Sequence, residues 1–363
     1  MKISVQKNKL QKGIGFVERI TSKNTTLPIL SNILLKTESG RLCISATNLE
    51  IGISSLIGAK IEINGQIAVP GRILADFIKA AEGDVINIKT NQNTLLVDTN
   101  TYKTSILGFD ASEYPIIPKI QKTEPFIISV DILRRMFNIV SDSIATSESR
   151  PELSGAFLRF KTSETIIAAT DSFRLVEQRI NLKNSKEAAV IIPRGVIVEL
   201  IRILGEVGGD VSILIGDNQI EFIHDDFSVI SRLIDGKYPD YFKVIPEHSL
   251  SRALIHKTEL ENAIKIAALF SSSISDINIY CEESVLRVTA KNSSKGEVSA
   301  DIPVNLKGDP FEISLNYHYF LDGLKIIATD KVVMEFTGKG SPFVLRPNND
   351  KKEEVYVIMP LRS

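Results

Sequence analysis

The chain has 363 residues, 43% of them hydrophobic and 24% charged, with a formal net charge of -1 at pH 7. That length outgrows a single ordinary core and suits two or three domains, while the balanced charge excludes a protein drawn to nucleic acid by its overall charge, so any DNA contact must come from cations sorted onto one surface. Apolar runs such as residues 188–192 are far shorter than the ~20 residues of a membrane span, and the N-terminus lacks a signal peptide's apolar centre, so a cytoplasmic protein without membrane contact is expected.

The first predicted helix places Leu10, Ile14 and Val17 at helical spacing and carries Lys7, Lys9, Lys12, Arg19 and Lys23 against Glu18. Gly13 and Gly15 lie inside this periodic stretch with no third glycine following, which reads as packing rather than a phosphate loop. Alternating β-branched runs at 33–37 and 42–46 flank the turn Ser39-Gly40 and end on Ala46-Thr47-Asn48-Leu49-Glu50, as in an antiparallel hairpin. Val69-Pro70 opens a second helix with Leu74, Phe77 and Ala81, and Glu113-Tyr114-Pro115 forms a corner. About 123 positions later the same landmarks return: a helix with Leu133, Phe137 and Val140, then Ala169-Thr170-Asp171, then Ile192-Pro193 opening a helix with Ile197, Leu200 and Leu204, and the corner Lys237-Tyr238-Pro239. Gly205, Gly208 and Gly209 turn that helix into a strand at 211–215. A third, fainter copy has Leu260, Ile264 and Ala267 in its first helix, a strand at 285–290, and Phe320, Leu324 and Ile327 in its second helix.

Self-similarity at so long a period predicts three similar α+β domains, each with two helices on antiparallel sheets and its own core, rather than a solenoid. Connectors containing Pro118, Lys122 and Pro125, then Pro246, His248 and Ser251, place the domains at 1–122, 125–247 and 250–363.

Positive signs of catalysis are lacking. His224, His248, His256 and His318 have no partner at a metal-ligand or nucleophile-activating spacing. Asp171 is the most tempting carboxylate, yet its counterpart in the first copy is Asn48, which cannot act as a base, whereas a turn-forming role fits both. Cys43 and Cys281 stand alone in strand-like stretches and are expected to be reduced and buried. A hydrolase or transferase on repeated α+β domains would need a catalytic constellation, and a sequence-specific DNA binder a concentrated basic patch or recognition helix; neither is apparent, and no cofactor or metal is expected.

Four stretches carry a family resemblance: Thr26-Leu27-Pro28-Ile29-Leu30 followed by Asn32, Ala169-Thr170-Asp171-Ser172-Phe173-Arg174-Leu175, Asp235-Gly236-Lys237-Tyr238-Pro239-Asp240-Tyr241, and the ending Val357-Ile358-Met359-Pro360-Leu361-Arg362. In that order, and over the whole chain, they resemble the bacterial beta clamps, the beta subunits of DNA polymerase III. The resemblance implies a non-enzymatic processivity factor: a head-to-tail homodimer forming a six-domain ring around duplex DNA, helices lining the bore. Its implied partners are the polymerase III catalytic subunit, the clamp loader, and other DNA polymerases and repair proteins bearing short linear motifs. Under that resemblance the subunit interface falls at Ile106 and at Leu269 and Phe270, although these apolar residues would equally serve each domain's own core. Candidates for the bore are Lys12, Arg19, Lys23, Arg72, Arg134, Arg135, Arg194 and Arg202, with a solvated helix face as the competing reading. A mild basic excess suits a ring that holds DNA by topology and slides, because many fixed phosphate contacts would resist movement.

The resemblance also implies a peptide pocket. Its positions map to Arg150, Leu153, Thr170, Ser172, Phe173, Arg174, Leu175, Pro239, Lys243, Val244, Ile274, Asn316, Tyr319, Pro342, Val357, Ile358, Met359, Pro360, Leu361 and Arg362. An apolar run at the end of a chain is a liability unless docked or used, and methionine suits a pocket that accepts several partners. Arg174 and Arg362 could anchor a peptide or serve in ion pairs. Phe173, Lys243 and Ile274 depart from the histidine, arginine and phenylalanine of many relatives, and Pro151 and Glu152 replace residues that touch DNA in relatives, which bears on partner affinity and on the detail of DNA contact.

Overall fold

The computed structural model describes residues 1–21, 27–121, 123–147, 149–349 and 353–361; of the residues singled out above, Lys23, Thr26, Lys122 and Arg362 lie outside them. The fold is α+β, with helices α1 (Lys7–Val17), α2 (Gly71–Ala80), α3 (Val130–Ser141), α4 (Arg194–Leu204), α5 (Lys257–Ala268) and α6 (Tyr317–Ile326), and with strands paired antiparallel throughout the described ladders. Strand patterning is direct: in Lys2–Gln6 the side chains of Ile3 and Val5 are buried while Lys2 and Gln6 face solvent, the period of two that a half-buried strand demands. The helices bury the residues their spacing predicts, with one correction. In α2 the buried stripe is Leu74 and Ile78, and Phe77 is only half-buried, because i+4 rather than i+3 faces the sheet there. Gly13 lets α1 lie close to the sheet: a Cβ would stand 3.0 Å from Ile44 Cδ1 and 3.1 Å from Ile57 Cγ2.

The chain packs as two compact units, residues 1–133 with 202–233, and residues 134–201 with 234–363. Strand pairing explains the exchange. In the first unit the 13-residue strand Ile51–Ile63 pairs with Phe227–Arg232 along its first half and with Lys2–Gln6 along its second, so the middle repeat continues the sheet of the first. In the second unit Arg174–Ile180 of the middle repeat pairs in the same way with Glu354–Ile358 of the third. Among the sheet edges, Lys103–Leu107 ends the sheet of the first unit and Gly296–Pro303 ends a four-stranded sheet in the second.

The repeat extends to single hydrogen bonds. Lys7 Nζ donates to the Ala81 carbonyl at the end of α2, and Lys257 Nζ donates to the Ile327 carbonyl at the end of α6 (2.6 Å). Their backbone amides donate to Asp84 and Asp330 (2.8 and 2.9 Å), and in the middle repeat Val130 N–H donates to Gly209 (2.8 Å), whose φ of +93° explains the glycine. Cys281 is buried as expected, but Cys43 is only half-buried, since it faces away from Leu42 and Ile44 on its strand. Burial still pushes its thiol upward in pKa, away from reactivity.

Candidate functional site

The loop 170–174 is shaped by its own side chains. Asp171 Oδ1 accepts from the N–H groups of Phe173 and Arg174 (2.9 and 3.0 Å), and Thr170 Oγ1 accepts from Ser172 N–H (3.1 Å) while donating to the Arg174 carbonyl (2.6 Å). Ser172 is held at φ +78°. The loop 47–51 in the first unit repeats every feature: Asn48 Oδ1 accepts from Glu50 and Ile51, Thr47 donates to the Ile51 carbonyl, and Leu49 stands at φ +76°. Asp171 and Asn48 are therefore turn-formers, as their shared position implied. In each loop a buried tyrosine fixes the threonine, with Tyr114 hydroxyl accepting from Thr47 N–H (3.2 Å) and Tyr238 hydroxyl from Thr170 N–H (3.1 Å). Burial pushes the Tyr114 hydroxyl up to about 12 and Tyr238 higher still, so both stay protonated. Tyr238→Phe should strand the Thr170 amide and cost roughly 1–2 kcal/mol of unfolding free energy, which urea denaturation of the variant would measure.

Against that loop the second unit opens a cavity of about 260 Å³ lined by Arg150, Leu153, Thr170, Ser172, Arg174, Leu175, Pro239, Asp240, Tyr241, Val244, Val357 and Met359. Its floor is a packed cluster that includes Leu153, Leu175, Tyr238, Tyr241 and Val357. Tyr241 donates to buried Glu177 (2.7 Å), which is ion-paired to Arg179 (2.7 Å). Residues 359–361 run along one side of it: Met359 N–H donates to the Phe173 carbonyl (2.8 Å) and Leu361 N–H to the Ser314 carbonyl (2.9 Å). Ten of the expected pocket residues thus meet in one cavity, joined by Asp240 and Tyr241. Those two sit inside the Asp235 to Tyr241 stretch already singled out, so the signal was present in the sequence.

The remaining expected residues lie around it. Phe173, 59% exposed, stacks on Tyr319 (centroids 6.2 Å, 18°), and the Arg174 guanidinium lies over the other ring of that pair, 4.7 Å from the Tyr319 centroid. Asn316 caps α6 by accepting from His318 N–H and donates to the Ile274 carbonyl (3.3 Å), with the Ile274 side chain exposed. Lys243 is exposed and paired with Asp240 (3.0 Å). Pro342 accepts from the Thr337 hydroxyl at its carbonyl (2.6 Å) and is not among the cavity's lining residues, and Ile358 is fully buried on the strand face opposite Val357. Pro360 and Leu361 are half-buried. Arg174 is spoken for: its side chain is 12% exposed, with Nε on Asp171 (3.0 Å) and Nη1 on Asp322. Its ion-pair role is visible, and its cationic face still borders the cavity.

The cation candidates divide. Arg19, Arg72, Arg134 and Arg194 are exposed and make no ion pair among the described residues. Lys12 pairs with Asp226 (2.9 Å) and Arg135 with buried Glu354 (3.2 Å). Arg202 donates to the carbonyls of Gly15 and Phe16 at the end of α1 (2.7 and 2.8 Å), closing off groups the helix leaves unpaired. Of the apolar trio, Ile106 is buried on its edge strand, Phe270 half-buried, and Leu269 66% exposed. Among the described residues no group of three His, Cys, Asp or Glu side chains is placed to hold a metal ion, and no helix is long and apolar enough to cross a membrane.

Comparison with known proteins gives one answer over the whole length. Family models for the DNA polymerase III beta subunit match in sequence order: the N-terminal domain at residues 1–118, the central domain at 127–240 and the C-terminal domain at 242–362. A beta sliding clamp of Staphylococcus aureus is 29% identical over 355 residues, covering 94% of each chain. Among solved structures, the DNA polymerase III subunit beta from Pseudomonas aeruginosa matches at TM-score 0.95 and 28% identity over 100% of both chains, and the DNA polymerase sliding clamp from Bacillus subtilis at 0.95 and 27% over 100% of this chain and 99% of that one.

Proposed function

The chain belongs to the DNA polymerase III beta subunit family, and from that premise we propose that it is a DNA sliding clamp: a non-catalytic processivity subunit that encircles duplex DNA as a head-to-tail homodimer. The observation that carries this reading is the strand pairing. Both internal junctions are made alike, a strand of one repeat against a strand of the next. Lys103–Leu107 in the first unit and Gly296–Pro303 in the second are edge strands, each without a neighbour on its outer side among the described residues. Unpaired edges of this kind invite another chain, and a head-to-tail contact that closes by rotation gives a ring. Ile106, Leu269 and Phe270 fall beside these ends, and Leu269 is the one left open for a partner copy.

The domains run 1–122, 125–247 and 250–363, a division supported by the spans of the three family matches. Arg19, Arg72, Arg134 and Arg194 are the cations best placed to meet phosphate, whereas Lys12, Arg135 and Arg202 hold the protein itself together. A few exposed cations provide weak, sequence-independent attraction, which suits a sliding contact. The 260 Å³ cavity receives the short linear motifs, built around a glutamine and hydrophobic residues, of the polymerase catalytic subunit, the clamp loader, and other polymerases and repair proteins. All of this takes place in the cytoplasm.

The test is retention on DNA. The purified protein, placed on a nicked circular plasmid with a loader and ATP, is expected to remain bound until a restriction enzyme linearises the plasmid, and then to run off. Retention that survives linearisation would point to direct contacts and would remove the encircling reading.

A further inference from the structure

The second helix of each repeat carries a cation in its last turn at the same position: counting 123 residues back from Lys325 in α6 gives Arg202 in α4, and 123 back again gives Lys79 in α2. Two of these cations have partners at the same end of a neighbouring helix, though of different kinds. Arg202 reaches the C-terminal end of α1, at the Gly15 and Phe16 carbonyls. Lys325 reaches Asp142, one residue past the end of α3, at 2.7 Å. In both, a cation on the second helix of one repeat reaches the C-terminal end of the first helix of the repeat before it, Arg202 on backbone carbonyls and Lys325 on a side-chain carboxylate, at an end where the helix dipole favours positive charge. Lys79 is exposed and has no ion pair or side-chain hydrogen bond among the described residues. Its own helix end does not need it, because Lys7 already holds the Ala81 carbonyl.

Among the described residues the ends of α1 and α3 are met in this way, and the end of α5 is not. The first helix of the third repeat, α5, shows what is missing. The position held by Phe16 in α1 and Ile139 in α3 is 2% and 4% exposed, but its counterpart in α5, Ile266, is 49% exposed. Leu269, the counterpart of Asp142, is likewise uncovered. Lys265, a cation on that turn, is already paired with Glu261 (2.5 Å).

We propose that Lys79 of one copy caps the C-terminal end of α5 of a second copy, reproducing between chains the latch that Arg202 and Lys325 form within one. This rests on the head-to-tail dimer proposed above. A closed dimer contains the latch twice, so Lys79→Ala should raise the dimer dissociation constant roughly 10- to 30-fold, each latch contributing about as much as one exposed charge-assisted hydrogen bond. Sedimentation velocity over a concentration series gives that constant for the full chain, and thermal unfolding at concentrations where the protein is monomeric gives the fold's own stability. Support requires that Lys79→Ala weakens the dimer while leaving monomer unfolding unchanged, and that Lys79→Arg restores association. A wild-type dimer whose affinity Lys79→Ala leaves alone overturns the latch and leaves the dimer standing. So does a loss confined to monomer stability, which would assign Lys79 to its own helix. A wild-type chain that stays monomeric at every concentration overturns the dimer itself, and the latch with it.

Discussion

Met359→Lys is expected to weaken binding of a short glutamine-and-hydrophobic peptide by roughly 100-fold, the equivalent of about 2.7 kcal/mol, while leaving the melting temperature within a few degrees of wild type. The side chain of Met359 lines the cavity beside Leu153, Leu175, Val244 and Val357. An ammonium there must either lose its water when an apolar peptide side chain enters or keep that side chain out, and burying a charge without a partner costs several kcal/mol. The fold has less at stake. Met359 is half-exposed, and what holds it in place is its backbone N–H on the Phe173 carbonyl (2.8 Å), which any residue but proline supplies. Fluorescence anisotropy with a labelled peptide reads the affinity. A folded variant that binds like wild type would show that the cavity is not where the peptide goes, and the exposed Phe173 and Tyr319 pair would then be the place to look.

The parts of this pocket that were legible in the sequence are the local ones. The loop 170–174 and its twin at 47–51 are built from hydrogen bonds spanning two to four residues, so Thr-Asp and Thr-Asn at a fixed spacing were sufficient to announce them. The helices announced themselves by period, with Phe77 misplaced because three-residue and four-residue steps are hard to separate over a ten-residue helix. What could not be read is the use of each cation. Lys12 finds Asp226 214 residues away, Arg135 finds Glu354 across 219, and Arg202 reaches Gly15 across 187. Nothing in a linear pattern distinguishes such an arginine from one facing solvent, since both sit at polar positions of an amphipathic helix. The family resemblance pointed to ten residues that line the cavity, but it did not separate them from Ile358, which strand alternation turns into the core.

Gly323→Leu should lower unfolding free energy by at least ~3 kcal/mol, the upper range for forcing volume into a packed core, and should weaken peptide binding too. The position is a point where the third repeat departs from the others: Phe77 and Leu200 occupy it in α2 and α4, and glycine occupies it in α6. The cause is Tyr356, whose ring fills the space. A Cβ on residue 323 would lie 2.5 Å from Tyr356 Cδ1, 2.6 Å from Cε1 and 3.0 Å from Leu345 Cδ1. Tyr356 and Leu345 are 1% and 0% exposed, so neither can move aside without disturbing its own neighbours. Even Gly323→Ala, which gains about 1 kcal/mol in helix propensity, should come out destabilising, because a contact that short must be relieved by shifting α6 or the ring. The effect travels to the pocket along the strand Glu354–Ile358. Tyr356 is followed by Val357, which lines the cavity, and by Ile358, which pairs with Arg174. Pushing the ring outward therefore displaces one wall of the pocket and the anchor of its cation together. Urea denaturation followed by peptide titration of the folded fraction checks both halves. Wild-type stability in the leucine variant would mean that α6 has room beside Tyr356, and the glycine would then need a different explanation.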